Sequence, residues 1–342
     1  AQAHFSRALA LLLKGDFENG WVGYEWRIGC PEYGPQRLLL KDRPDRRYWQ
    51  GEPLAGKTLL LRAEQGLGDT VQFVRYADAL AQLGATVLVE TADAGLAELL
   101  RSAPGVAQTC MPGSGTPLPA SDYYCCMMSL PRLLGTTLAN VPAPRSYLRA
   151  DEARRESWRA RLATLDKQTV ARATIEGGSL PATQAGINGP RRRIGLAWAG
   201  NPNHANDSKR SCPLAELAPL FDLPGIDWIS LQKGSAQAQL QAVPNAPVDW
   251  SADLHSYADT AALIAELDLV ISVDTSVAHV AGALGVPVWV MLPFAPDFRW
   301  LLDRSDNPWY PEARLFRQAR RSDWGSVVQA LRSALTTQAP RR

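Results

Sequence analysis

The segment Asp274-Thr275-Ser276, with His279 four residues after Thr275, is the most informative group of chemistry-capable residues in this chain. It lies between two apolar runs, LDLVISV and VPVWVML, within Leu267–Leu292. The pattern predicts a strand, a short helix stopped by Gly285, and a second strand. In such a βαβ unit the polar groups stand at the carboxyl end of the first strand, where open α/β sheets bind ligands. Asp, Thr and Ser are preferred helix caps. The free backbone N–H groups beyond them, with the positive end of the helix dipole, suit a diphosphate. Thr275 and His279 share a helix face, and His279 could donate to a phosphate oxygen. A capped structural helix with a buried, satisfied histidine is the plain competing reading.

An earlier corner repeats the plan. KTLLLRAEQGLGDTVQFVRYADALAQLGATVLVE spans Lys57–Glu90 and carries the turn Gly66-Leu67-Gly68, then Asp69. The glycines allow unusual backbone conformations and close approach of a ligand. Asp69 reads either as a helix cap or as a general base for an acceptor hydroxyl. An ordinary aspartate is a weak base, with a pKa of about 3.9, so it would act late, as the hydroxyl acidifies in the transition state. Two further loops offer cations. One follows IGLAWAG and holds Gly200, Asn201, Asn206, Asp207, Lys209 and Arg210; the other is Gln232-Lys233-Gly234 after WISL. Such groups could neutralise a leaving nucleoside diphosphate where no metal does so. No Asp-x-Asp triplet occurs, so no metal site is expected.

Strands alternating with helices must position these corners. Strands are predicted at Thr58–Ala63, Thr86–Glu90 and Tyr123–Met127, with helices at about 69–83 and 95–102. The second half offers IGLAWAG, a helix near Leu214–Leu220, WISLQKG, a helix over Thr260–Leu267, the Asp274 corner, and an amphipathic helix near Trp324–Leu335. That alternation defines two doubly wound α/β domains expected to face each other across a cleft. Ahead of them, residues 1–26 read as a helical hairpin, with Phe5, Leu9, Leu12 and Leu13 on one face and a break at Gly15-Asp16. It reads as the last unit of a tetratricopeptide array, or as a plain hairpin capping the next domain. The expected boundaries are a hairpin at 1–26, an irregular connector at 27–56, and a first domain at 57–150. A charged helix and flexible linker follow at 151–190, then a second domain at 191–315 and a C-terminal helix and tail at 316–342.

Bulk numbers exclude several classes. The 342 residues suffice for two domains. With 36 Lys and Arg against 34 Asp and Glu, nothing favours nucleic acid as a partner. Arg191–Arg193 is too short a run to change that. Five scattered cysteines without a C-x-x-C pair point away from zinc and from a disulfide framework, and Cys125-Cys126 reads as core. No run approaches the roughly 20 apolar residues of a membrane span, and no signal peptide is visible. A cytoplasmic location is therefore expected. The first residue is Ala, inside a helical pattern, which suggests a longer natural protein.

Three motifs in order, AEQGLGDTVQFVRY, LAWAGNPNHANDSKRS and SVDTSVAHVAGALGVPVWVMLP, resemble glycosyltransferase family 9. The resemblance is to the heptosyltransferase-like domain of bacterial tetratricopeptide-repeat glycosyltransferases, over about residues 57–336. It implies a GT-B fold and inverting, metal-independent transfer from a nucleotide-sugar to an unidentified hydroxyl acceptor: a glycan, a lipid-linked glycan or a protein. The repeats would serve a protein partner. No cofactor is implied. The base is then Asp69, with Gly66 and Gly68 beside it. The donor is then held by Gly200, Asn201, Lys209, Arg210, Gln232, Lys233, Asp274, Thr275, Ser276 and His279. Ser276 replaces the glycine usual in heptosyltransferases, so the donor need not be ADP-heptose. Segment Pro296–Pro311, rich in Trp and Arg, marks the repeat-fused subgroup and suits either sugar stacking or buried packing. The alternatives are an NAD-dependent oxidoreductase, a GT-B sugar epimerase and a non-catalytic scaffold. The first fits poorly, because Val71 stands where G-x-G-x-x-G needs its third glycine.

Overall fold

The structure is a computed structural model that describes residues 1–31, 47–112, 118–175 and 191–337. Helices α1 (Gln2–Leu13) and α2 (Phe17–Tyr24) form the hairpin, and a 3-10 turn continues to Gly29. Asp16 caps α2 by accepting the Asn19 N–H at 3.2 Å, which supplies one of the donors a helix start leaves unpaired. Gly15 turns the chain at φ +88°. Phe5, Leu12, Phe17 and Trp21 are buried.

Next come β1 (Arg47–Tyr48), β2 (Thr58–Arg62), α3 (Leu67–Phe73), α4 (Ala77–Gln82), β3 (Thr86–Glu90), α5 (Ala94–Leu100), β4 (Val106–Cys110), β5 (Tyr123–Cys126) and α6 (Leu130–Leu133). The five strands form one parallel sheet in the order β1-β5-β2-β3-β4. Helix α7 (Glu152–Ile175) leads to β6 (Arg192–Ala197), α8 (Asp207–Arg210), α9 (Leu214–Phe221), β7 (Ile226–Ser230) and β8 (Val248–Asp249). Then follow α10 (Tyr257–Ile264), β9 (Leu269–Val273), α11 (Ser276–Leu284), β10 (Val288–Leu292), β11 (Ala313–Arg317) and α12 (Trp324–Thr337). The second sheet runs β11-β10-β9-β6-β7-β8. Its core packs Trp198, Leu217, Trp228, Ile271, Met291 and Leu331. Arg155 and Arg159 of α7 reach Glu266 beyond α10, at 2.9 and 3.0 Å.

By packing, the chain divides into two compact units. The first is Ala1–Arg149 with Gly282–Gly285 and Ala295–Leu315; the second is Ala150–Ala281 with Val286–Phe294 and Phe316–Arg342. Segment 295–315, read from sequence with the second domain, thus packs in the first. Arg75 shows how. Its buried guanidinium donates to the Trp309 carbonyl and to the Pro142 carbonyl (3.0 Å), and lies 4.7 Å above the Tyr310 ring. Tyr310 leaves no room beside Gly282, where a Cβ would sit 2.8 Å from ring carbons Cε1 and Cγ. Gly282→Ala gains about 1 kcal/mol of helix propensity but overpacks a fixed ring, at about 1–3 kcal/mol. A net loss of stability is expected, measured by chemical denaturation; a more stable variant would contradict the packing.

The helix expected over 69–83 is three pieces, with a 3-10 turn at Val74–Tyr76 between α3 and α4. Arg75 is drawn inward there, donating to the Gln72 carbonyl at 2.7 Å. The connector over 32–46, the linker over 176–190 and the tail 338–342 lie outside the described residues. All five cysteines are free and buried, and burial pushes the Cys125, Cys126 and Cys212 thiols up. Among the described residues no helix is long and apolar enough to cross a membrane.

Candidate active site

In the first unit the chain leaves β2 and turns sharply at Gln65, which adopts φ +60°. The left-handed residue is thus Gln65, not one of the flanking glycines. Gly66 is extended and caps α3; its lack of a side chain matters for space, since a Cβ would lie 3.2 Å from Asp69 Oδ2. The helix begins at Leu67, with Gly68 in its first turn, so Asp69 is the third helical residue and not the cap. Its Oδ2 accepts the Gly66 N–H at 2.7 Å, the return half of a capping box.

Asp69 Oδ1 accepts from the Arg299 guanidinium. Arg299 belongs to a short 3-10 turn, Phe298–Trp300. It also donates to Gln72 Oε1 at 2.8 Å and to Asp297 Oδ1 at 2.7 Å, and lies 4.4 Å above the Phe298 ring. Burial opposes its charge, but the carboxylates of Asp297 and Asp69 outweigh that and raise its pKa further. Asp69 is therefore oriented from two sides, by a backbone N–H and by a buried cation. Its side chain keeps 17% exposure.

The second unit gathers the other candidates at one sheet edge. Strands β9, β6 and β7 are neighbours and parallel, so the loops after them emerge side by side. After β9, Asp274 and Thr275 precede α11, and Ser276 is its first residue. Ser272 Oγ lies 3.1 Å from Thr275 Oγ1, and Ser276 Oγ lies 2.8 Å from the Tyr257 hydroxyl. His279 is buried at 4% exposure, with Nε2 4.0 Å from Asp274 Oδ1. That separation is longer than a direct hydrogen bond.

After β6, Gln232 brackets the loop. Its Oε1 accepts the Trp198 and Ala199 N–H groups at 3.0 and 2.9 Å, and its Nε2 donates to the Ala199 and Lys233 carbonyls at 3.0 and 2.8 Å. These bonds use the amide's donors and both acceptor sites. Gln232 thus acts as a strut for the loop. Lys233 likewise ties its ammonium to the Ser251 carbonyl at 2.7 Å. Gly200 lies against Arg210, since a Cβ would come within 2.6 Å of Nη2. Arg210 is positioned by Asp207 at 3.3 Å, with 18% side-chain exposure. Lys209 and Asn201 are exposed.

Sequence reasoning missed three groups. Tyr257 had no motif to mark it. Glu64 stood inside a quoted motif without a role. Arg299 lay in a segment singled out for its Trp and Arg, but a partner 230 positions away leaves no local signal. Among the described residues no group of three or more His, Cys, Asp or Glu is placed to hold a metal ion.

Comparison with known proteins bears on the fold and on the β9–α11–β10 segment. Residues 255–291, which hold the β9–α11–β10 corner, match the family model described as glycosyltransferase family 9 (heptosyltransferase). Protein FlbA of Caulobacter vibrioides is 28% identical across 97% of this chain. The chain spans about half the length of that relative, 55%. Among solved structures, a glycosyl transferase family 9 protein of Veillonella parvula superposes with a TM-score of 0.55 at 12% identity, covering 84% of this chain and 99% of that one. The ADP-heptose lps heptosyltransferase II of E. coli superposes at 0.51 with 14% identity, covering 82% and 97%. The fold these structures share with the chain is the GT-B fold, with two Rossmann-like sheets.

Proposed function

We propose that this chain transfers a sugar, with inversion and without a metal, from a nucleotide-sugar to a hydroxyl acceptor. The observation that carries the reading is the β9–α11 corner, where the residues that start the helix lie within the matched segment and His279 stands beside Asp274. The N–H groups that begin α11 and the Arg210 guanidinium would hold the donor's diphosphate. As the bond from the anomeric carbon to the diphosphate oxygen breaks, charge grows on that oxygen, and fixed donors stabilise it there. Asp69 would take the acceptor proton as the new bond forms on the opposite face of the sugar. Ser276, already paired to Tyr257, would line the donor's edge. The relative from E. coli is described as acting on ADP-heptose, which makes ADP-sugars the first probes.

A thermal-shift screen with UDP-, GDP-, ADP- and CDP-sugars, repeated with EDTA, tests the reading. A shift with at least one donor that survives EDTA supports it; a shift with NADH alone would favour the oxidoreductase. His279→Ala should weaken donor binding about tenfold, equivalent to roughly 1.4 kcal/mol, by isothermal titration. Unchanged affinity would assign His279 to packing alone.

A further inference from the structure

The helical hairpin is wired to the turn that carries Asp69. Arg27, on the 3-10 turn after α2, is fully buried. Its Nε donates to Glu64 Oε2 at 3.0 Å, and its Nη2 donates to Glu64 Oε1 at 2.7 Å and to Ser129 Oγ at 2.8 Å. Its Nη1 donates to Glu25 Oε1 at 2.7 Å and to the Tyr24 carbonyl at 3.4 Å. Every N–H of the guanidinium is thereby engaged. Glu64 also accepts the Met128 N–H at 2.9 Å. One residue on, Gln65 holds its left-handed conformation while its side chain donates to the Tyr24 hydroxyl at 2.9 Å. Gly66 follows, donating to Asp69. A non-glycine residue at positive φ persists only where its surroundings over-determine it, and here Tyr24 bonds Gln65 itself while Arg27 fixes the preceding Glu64.

A buried ion pair contributes little net stability, because desolvation offsets its attraction; replacing both partners is often neutral, while removing one is strongly destabilising. Stability alone therefore does not account for Arg27 and Glu64. We infer that Arg27 is a positioning residue for the Asp69 turn, so that the hairpin is a working part of the acceptor-side site and not an appended module. The inference rests on Asp69 being the base.

The test uses Arg27→Met and the double variant Arg27→Met/Glu64→Gln in the full chain. The double variant removes both charges of the Arg27–Glu64 pair, and Glu25, which also loses Arg27, keeps 21% exposure and Arg132 at 3.6 Å. Gln at position 64 keeps an acceptor for the Met128 N–H, and Glu25 keeps the Ser129 hydroxyl at 2.8 Å. Local hydrogen exchange over residues 64–69 and 269–284 is read beside the melting midpoint, and turnover as nucleotide release from the donor chosen in the binding screen. The double variant should melt near the wild-type temperature, yet exchange about tenfold faster over 64–69 and unchanged over 269–284. Its kcat should fall roughly 10- to 100-fold at constant donor KM, as expected for a misplaced catalytic group. Arg27→Met alone should be the less stable of the two. Exchange and kcat within about twofold of wild type in a folded double variant would overturn the inference. If Asp69→Asn instead turns over normally, the base reading fails, while the exchange measurement still decides whether Arg27 holds the turn.

Discussion

Asp69→Asn should lower sugar transfer by roughly 10²- to 10⁴-fold, the usual contribution of a positioned general base, and leave donor affinity unchanged. The amide keeps the carboxylate's shape, so it can still accept the Gly66 N–H, and α3 keeps its start. Arg299 loses one carboxylate but retains Asp297 at 2.7 Å and Gln72 at 2.8 Å. Folding should therefore survive, and the loss should fall on kcat. The groups proposed to hold the donor belong to the second unit, whereas Asp69 belongs to the first. Asp69→Ala, which also removes the capping acceptor, should lose about 1 kcal/mol of stability in addition. Steady-state kinetics with calorimetric donor titration separates the two effects. Turnover within about threefold of wild type in Asp69→Asn would remove Asp69 from the chemistry.

Arg299→Met should be the most destabilising single substitution at the site. The guanidinium has 8% exposure and its partner Asp69 has 17%, so removing it leaves a largely buried carboxylate without its cation. Breaking a buried pair on one side costs about 3–5 kcal/mol. The lower end, about 3 kcal/mol, is expected because Asp297 keeps 36% exposure and can turn to water. Arg299→Lys should recover less than half of that loss, since an ammonium restores charge but not the planar fork that spans Asp69, Gln72 and Asp297. Denaturant unfolding, followed by hydrogen exchange in the first unit, measures both. A loss below about 1 kcal/mol would show the pair to be as weak as an exposed one.

The strands that carry the site were legible because they are buried on both faces. Val288–Leu292 reads as an unbroken apolar run, Thr58–Arg62 carries three leucines at its centre, and Leu269–Val273 is broken only by Ser272, the near-continuous pattern of parallel strands covered by helices. The strands missed from sequence carry weaker signals. Val106–Cys110 has two exposed residues in its middle, Arg47–Tyr48 and Val248–Asp249 have two residues each, and Ala313–Arg317 is interrupted by charge. The helix caps were legible where a residue type matched its duty, as at Asp16. Asp69 lies three positions past the true cap, Gly66, because a carboxylate at the third residue of a helix uses the same residue types as a cap in a shifted register. The loops proposed to hold the donor were visible from small and basic residues at strand ends. Gln232 was read as a ligand contact because sequence shows a polar residue at the right place but not which backbone groups it will satisfy. Arg27–Glu64 and Asp69–Arg299 were invisible for a common reason. Each joins residues far apart in sequence, and a buried charge reveals its partner only when the fold brings the two together.

The central claim is that the β9–α11 corner and the β6 loop hold the donor's diphosphate. Hydrogen exchange of the whole chain with saturating ADP-, UDP-, GDP- and CDP-sugars tests it most directly. Protection is predicted over residues 274–280 and 198–211 with at least one of these donors, and its loss over 274–280 in His279→Ala. Protection absent from both segments with every donor, in a chain that remains folded, would contradict it.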